Sequence, residues 1–218
     1  MSDATSTQER EPAGRRVVVA EFVTLDGFMV GPDEDMSWVA DGFDPQMQDD
    51  VAEHLSRTFD LFVFGRVTYD IFAAYWPHAV PYDEGDELKP TEGREDPRII
   101  RALNERPKVV FSTTLDAPAW ADTRVVAGGV EDEVRRLRKE PGTALCVQGS
   151  ASIVQALGRA DLVDEYRLYV HPVMLGNGTP LFAPGHDRRD FELTGLTRYG
   201  NGVVATTYER DDGATRRA

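Results

Sequence analysis

Only one cysteine, Cys146, stands in the 218 residues, so no disulfide can form within the chain and a cysteine-rich zinc site is excluded. Cys146 lies inside the apolar run ALCVQ and reads as a small buried core residue, which fits a reducing cytoplasm. Long apolar runs are missing too. None approaches the ~20 residues that span a bilayer, so no membrane partner is expected. The leading MSDATSTQEREPAGRR lacks the apolar stretch of a secretory signal. Residues 1–15 therefore read as a disordered leader, 16–210 as one domain, and 211–218 as a disordered tail. Histidine is scarce. His54, His78, His171 and His186 are scattered without the spacing of a metal site, and no metal is expected. Positive charge is in deficit, with a net charge of -14, which argues against a nucleic-acid partner. A phosphorylated ligand would have to be held by a few arginines and helix N-termini.

What is present is an alternation of apolar runs and amphipathic segments. Arg16 to Val23 (RVVVAEFV) predicts a buried first strand. Asp44-Pro45 opens a helix to about Thr58, with Met47, Val51 and Leu55 on one face. Leu61 to Phe64 predicts a second strand ending on Gly65, with a short helix from about Thr68. Pro77 to Asp96 has no periodicity and reads as a long loop; Asp96-Pro97 then opens a helix to about Arg106. Further strands are expected at Lys108–Phe111, Arg124–Ala127, Ala144–Gln148, Glu165–Val170 and Val203–Glu209. Helices are expected at Val130–Glu140 and Ser150–Gly158, and Gly200-Asn201-Gly202 makes a tight turn. This order implies an α/β fold, a mostly parallel sheet covered on both faces with an antiparallel C-terminal edge.

Ligands of such sheets sit at strand ends, and three strand ends carry polar residues. Gly65-Arg66-Val67-Thr68-Tyr69 offers a close backbone approach, a cation and a hydroxyl, or else a turn capped by Thr68. Ser112-Thr113-Thr114 could hold a phosphate or ribose, or be a solvated turn. Gln148-Gly149-Ser150-Ala151-Ser152 could cradle a pyrophosphate at a helix N-terminus, or be a helix capped by Ser150. Gly128-Gly129 reads as a turn. If Gly149 adjoins a pyrophosphate, a valine there should block the ligand and spare the fold.

These motifs, with Thr24-Leu25-Asp26-Gly27, Ser37-Trp38-Val39, Val109-Val110-Phe111-Ser112 and the run His171 to Gly178, stand in an order that resembles the dihydrofolate-reductase-like superfamily. The resemblance covers about Arg16 to Glu209. It is nearest to the C-terminal reductase domain of the bifunctional riboflavin-biosynthesis deaminase-reductase, here standing alone. The resemblance implies a three-layer α/β/α fold, NADPH as cofactor and a homodimer acting on a small-molecule substrate. It places Trp38, Gly65, Arg66, Thr68, Ser112, Thr113, Gly149, Ser150, Ala151 and Ser152 on the cofactor, and Ser37 and Gln148 near the substrate. Asp26 would line the cleft and is the leading candidate for a proton relay, with a pKa raised by desolvation; Asp41 and Asp44 are its rivals. The implied reaction is reduction of 5-amino-6-(5-phosphoribosylamino)uracil or a related pyrimidine or pterin. A true dihydrofolate reductase and a non-catalytic NADPH-binding sensor are the alternatives. The chain departs from the pattern at two places: Gln148 stands where the riboflavin enzymes usually carry Glu, and Ser150 where dihydrofolate reductases carry the second glycine of a pair.

Overall fold

The computed structural model describes residues 14–41, 44–82, 94–185 and 187–211. The leader up to residue 13, the centre of the 77–96 loop, His186 and the tail from residue 212 lie outside the described residues, as does the Asp41 side chain. The elements in chain order are β1 (Arg16–Thr24), β2 (Phe28–Val30), α1 (Ser37–Asp41), α2 (Pro45–Arg57), β3 (Leu61–Gly65) and α3 (Arg66–Tyr75). Then come β4 (Val80–Pro81), β5 (Arg94–Glu95), α4 (Pro97–Glu105), β6 (Lys108–Phe111), β7 (Thr123–Val126) and α5 (Val130–Arg138). The chain closes with β8 (Ala144–Val147), α6 (Ala151–Arg159), β9 (Glu165–His171), β10 (Thr179–Pro180), β11 (Phe191–Arg198) and β12 (Val204–Arg210).

The two Asp-Pro signals act as expected. Asp44 accepts from the Gln46 and Met47 amides at the start of α2, and Asp96 accepts from the Arg98 amide at the start of α4. Helix α3 begins at Arg66, two residues before the expected start, because Gly65 takes the N-cap position and Thr68 caps nothing.

Eight strands form the central sheet in the order β11-β12-β9-β1-β8-β3-β6-β7. Strand β1 pairs in parallel with β8 (Val19↔Val147) and with β9 (Thr24↔His171), while β3 is parallel to β6 and to β8. The parallel strands therefore end together, at Thr24, Gly65, Phe111, Val126, Val147 and His171, along one edge of the sheet. Helices α5 and α6 bury Val134, Leu137, Ile153, Val154 and Leu157 on one face against Val17, Val19 and Val147. On the other, α2 and α4 bury Ala52, Leu55, Ile99 and Leu103 against Val18, Phe62, Phe64 and Val110. Burial of some twenty such side chains, at ~1.5–3 kcal/mol each, is the main favourable term holding the layers together. The antiparallel edge is wider than expected. Besides β9 and β12 it contains β11, whose mixed, mostly exposed sequence FELTGLTR carries no clean alternation. The Gly200-Asn201-Gly202 turn joins β11 to β12, with Gly202 at φ +88°.

Candidate functional site

Two strand-to-helix turns meet at the centre of the C-terminal edge. The Gly65 amide at the end of β3 donates to Ser150 Oγ (2.8 Å), and Thr68 Oγ1 donates to the Gly149 carbonyl (2.7 Å). The two hydroxyls, both buried, also bond to each other at 3.1 Å. Thr68 and Ser150 thus form a clasp between the β3–α3 and β8–α6 turns, and Ser150 makes no side-chain cap to α6. Gly149 sits at φ +70°, and a Cβ on it would lie 2.7 Å from Thr68 Cγ2. The expectation that Gly149→Val spares the fold is corrected by this: the valine would strain the backbone and push apart the clasp. What the turn leaves for a ligand is the first-turn amides of α6, on Ala151 and the exposed Ser152.

The Gly149 amide itself is occupied. It donates to Glu21 Oε1 at 2.7 Å, from a carboxyl only 4% exposed inside β1. Burial pushes the Glu21 carboxyl well above the usual range, against the opposing pull of the Gly149 and Ser150 amides. Sequence reading missed Glu21. Its signal is an acid inside the otherwise apolar stretch 17–23, flanked by Ala20 and Phe22.

Along the same edge, Arg66 Nε donates to both carboxylate oxygens of Asp70 (2.9 and 2.7 Å), and its Nη1 reaches Thr114 Oγ1 at 3.3 Å. Ser112 Oγ accepts from the Thr114 and Leu115 amides, while Thr113 is exposed. Beyond β7, Gly128 and Gly129 have positive φ, and a Cβ on either would meet nothing within 4 Å. A guanidinium, hydroxyls, free helix amides and open glycine backbone form a donor set that suits a phosphorylated dinucleotide.

Asp26 stands elsewhere in role. Its carboxylate accepts from Thr24 Oγ1 (2.6 Å), Gly176 N (2.8 Å) and Leu175 N (3.1 Å), tying the end of β1 to the loop after β9. The Thr24 hydroxyl and the Gly176 amide hold its pKa below the ordinary value, so the expected raised pKa is not found. The carboxyl shifted upward is Glu21. Asp44, the described rival, caps α2 and accepts from the Gly200 amide.

On the α2 side of β1, Trp38 is buried edge-on against His171, with ring centroids 5.0 Å apart, while Ser37 is exposed. Gln148, at the end of β8, lines a small cavity with Glu21, Phe22, Val51, His54 and Tyr169. His54 is pushed down to about 3, chiefly by burial and then by the Arg167 charge, and is therefore neutral. Sequence reading set His54 aside because it has no metal-ligand spacing; a histidine on the inward face of an amphipathic helix was the available signal. The structure thus brings Gly65, Arg66, Thr68, Ser112 and residues 148–152 to one edge, and sets Trp38 and Gln148 on the α2 side of it.

Among the described residues no helix is long and apolar enough to cross a membrane, and no group of His, Cys, Asp or Glu is arranged to hold a metal. Among solved structures, a protein of Shewanella sp. PV-4 named for riboflavin biosynthesis superposes with a TM-score of 0.67 at 21% identity, covering 89% of this chain and 98% of its own. A Thermotoga maritima diaminohydroxyphosphoribosylaminopyrimidine deaminase/5-amino-6-(5-phosphoribosylamino)uracil reductase superposes at 0.60 with 15% identity, over 90% of this chain and 57% of that one. The uncharacterized YyaP of Bacillus subtilis is 30% identical over 196 residues, 89% of this chain and 94% of its own length. The RibD C-terminal domain model matches residues 15–205, and the chain belongs to that family.

Proposed function

We propose that the protein is an NADPH-dependent reductase acting on 5-amino-6-(5-phosphoribosylamino)uracil or a related pyrimidine or pterin. The observation that carries this reading is a juxtaposition: donors suited to an anion at the ends of β3, β6 and β8 adjoin a small, mostly apolar cavity beneath α2 into which Glu21, His54 and Gln148 bring polar groups. Arg66 with Ser112 or Thr113 would hold the 2′-phosphate, and the Ala151 and Ser152 amides the pyrophosphate. NADPH, when bound, supplies hydride from its nicotinamide ring. The chain's own residues bind and orient the reactants and exclude water. Phe22 and Tyr169 wall the cavity, and Glu21, whose carboxyl burial pushes towards the protonated form, lines it beside Gln148. Gln148 supplies a neutral amide where the riboflavin enzymes place a carboxylate, so the ring it meets is bound by a weaker, uncharged acceptor.

The test is NADPH titration followed by turnover, read by absorbance, of 5-amino-6-(5-phosphoribosylamino)uracil and of dihydrofolate in parallel. Turnover of the pyrimidine is expected. Turnover of dihydrofolate alone would make the protein a dihydrofolate reductase. NADPH binding without turnover of any pyrimidine or pterin would favour a sensor.

A further inference from the structure

Glu21 is buried inside β1, and its carboxyl is tied to the turn that opens α6. Its Oε1 accepts the Gly149 amide at 2.7 Å, and the Ser150 amide also bonds to the carboxyl. The clasp fixes this turn from the other direction, since Ser150 Oγ holds the Gly65 amide and Thr68 Oγ1 holds the Gly149 carbonyl. No neighbouring element brings a charge to Glu21. Strand β9 sets Leu168 opposite it, the first turn of α6 carries Ala151, Ser152 and Ile153, and α3 reaches the turn through Thr68. Strand β8 contributes the Cys146 thiol, which burial, then the Glu21 charge, keeps in its neutral form. Among the described residues Glu21 therefore has no counter-ion.

A carboxylate in such a place is ionised against the cost of desolvation, and only the dipoles of the two amides favour its charge. The Ala151 and Ser152 amides, next along the chain, open α6 without an intrahelical partner. An anion held there and a charged Glu21 draw on the same helix dipole, and they repel each other through a poorly screened interior. A proton on Glu21 removes the conflict. The neutral carboxyl still keeps an oxygen that accepts from Gly149, so the turn holds its shape when the charge is gone.

We propose that Glu21 is a positioning residue that couples anion binding to a proton: a phosphorylated ligand at the α6 N-terminus binds with uptake of a proton from solvent by the Glu21 carboxyl, which the ligand does not touch. The proposal rests on the reductase reading for the place of the cofactor's pyrophosphate. The coupling is reciprocal. Affinity is full where Glu21 is already protonated in the free protein, and it falls as pH rises through the titration of this group.

The experiment titrates NADP+ and, separately, inorganic pyrophosphate into the full chain by calorimetry. Buffers of different ionisation enthalpy are compared between pH ~6 and ~9, a range in which buried glutamates titrate. Net uptake approaching one proton per site is expected within that range, and difference infrared spectra should gain a protonated-carboxyl band on binding. Glu21→Gln keeps the shape and an acceptor for Gly149 but not the charge. It should bind pyrophosphate roughly tenfold tighter than the unaltered protein at the alkaline end, the equivalent of about one pKa unit of coupling. The band and the Glu21 share of the uptake should vanish; the anions' own titration is common to both proteins and cancels in the comparison. A merely structural Glu21 gives the reverse, weaker binding in Glu21→Gln. That result, equal uptake in the two proteins, or an infrared band that does not grow in the unaltered protein would overturn the proposal, and the last of these needs no folded variant. Pyrophosphate binding with Glu21-dependent uptake but no NADP+ binding sinks the reductase reading alone. NADP+ binding without that uptake sinks this proposal alone, and binding of neither anion sinks both.

Discussion

Arg66 lies at the cleft with its guanidinium already engaged by Asp70 in an exposed i,i+4 pair, an interaction worth little in water. A 2′-phosphate offers a stronger partner, since hydrogen bonds to ionised groups contribute roughly 1.5–3 kcal/mol each. With a second bond from Ser112 or Thr113, preference for NADPH over NADH should be on the order of 100-fold or more. Arg66→Ala is expected to bring the two dissociation constants within several-fold, and Asp70→Asn to tighten NADPH binding; equal affinities in the unaltered protein would remove Arg66 from the site. His54 carries a pH consequence of the opposite kind. Its folded pKa of about 3 lies below the unfolded 6.5, so the unfolded chain takes up the proton first as pH falls. The stability from this group is present above pH ~6.5 and drains away towards pH ~3, with about 2.5 kcal/mol gone between pH 7 and 4.5. Urea titrations at those two pH values should show that loss in the unaltered protein and a smaller one in His54→Phe. A parallel response of both proteins would mean that His54 is hydrated and titrates normally.

The clasp between the β3–α3 and β8–α6 turns is a property of elements, because it joins two neighbouring strand ends through side chains 82 positions apart. Ser150→Ala strips the acceptor from the Gly65 amide and a partner from Thr68. The cost should be about 1–3 kcal/mol, read as a lower urea midpoint at unchanged slope. A shift indistinguishable from zero would mean that water replaces the serine. These same turns mark where the sequence stops being legible. Asp44-Pro45 and Asp96-Pro97 could be read because cap and proline act within one helical turn. The buried strands could be read because both their faces are covered, which makes them continuous apolar runs. Thr68 and Ser150 could be read as site residues but not as each other's partners, since a long-range hydroxyl pair leaves no local pattern. Strand β11 escaped for a related reason. It lies at an edge, carries Gly195 and Thr residues, and a register shift between Leu193 and Gly195 breaks its alternation. Asp26 was placed correctly at the end of β1, but its charge state depends on amides 149 and 150 positions away, which spacing cannot reveal.

At the scale of the whole molecule, the eight-stranded sheet has two unlike edges. Strand β7 closes one side with Thr123–Val126, whereas β11 leaves Phe191–Arg198 as a long free edge on the other. A free edge of that length invites pairing with another strand. The shift at Gly195 adds an apolar face to it: Leu193 lies opposite Tyr208 and Leu196 opposite Thr206, so both leucines fall on one side of the hairpin. They are 47% and 64% exposed, and Phe182, also exposed, packs against Tyr166 on that side. A net charge of -14 opposes association, so only a specific apolar contact would hold two copies together. We expect a homodimer of two-fold symmetry formed through the β11–β12 hairpin. Sedimentation velocity should give a dimer at micromolar concentration, more stable at higher salt as the repulsion between acidic surfaces is screened. Leu196→Glu should yield a folded monomer, because an exposed edge residue contributes little to the protomer's own core. A monomer in the unaltered protein would remove the dimer altogether, and a dimer that survives Leu196→Glu would move its interface away from this hairpin.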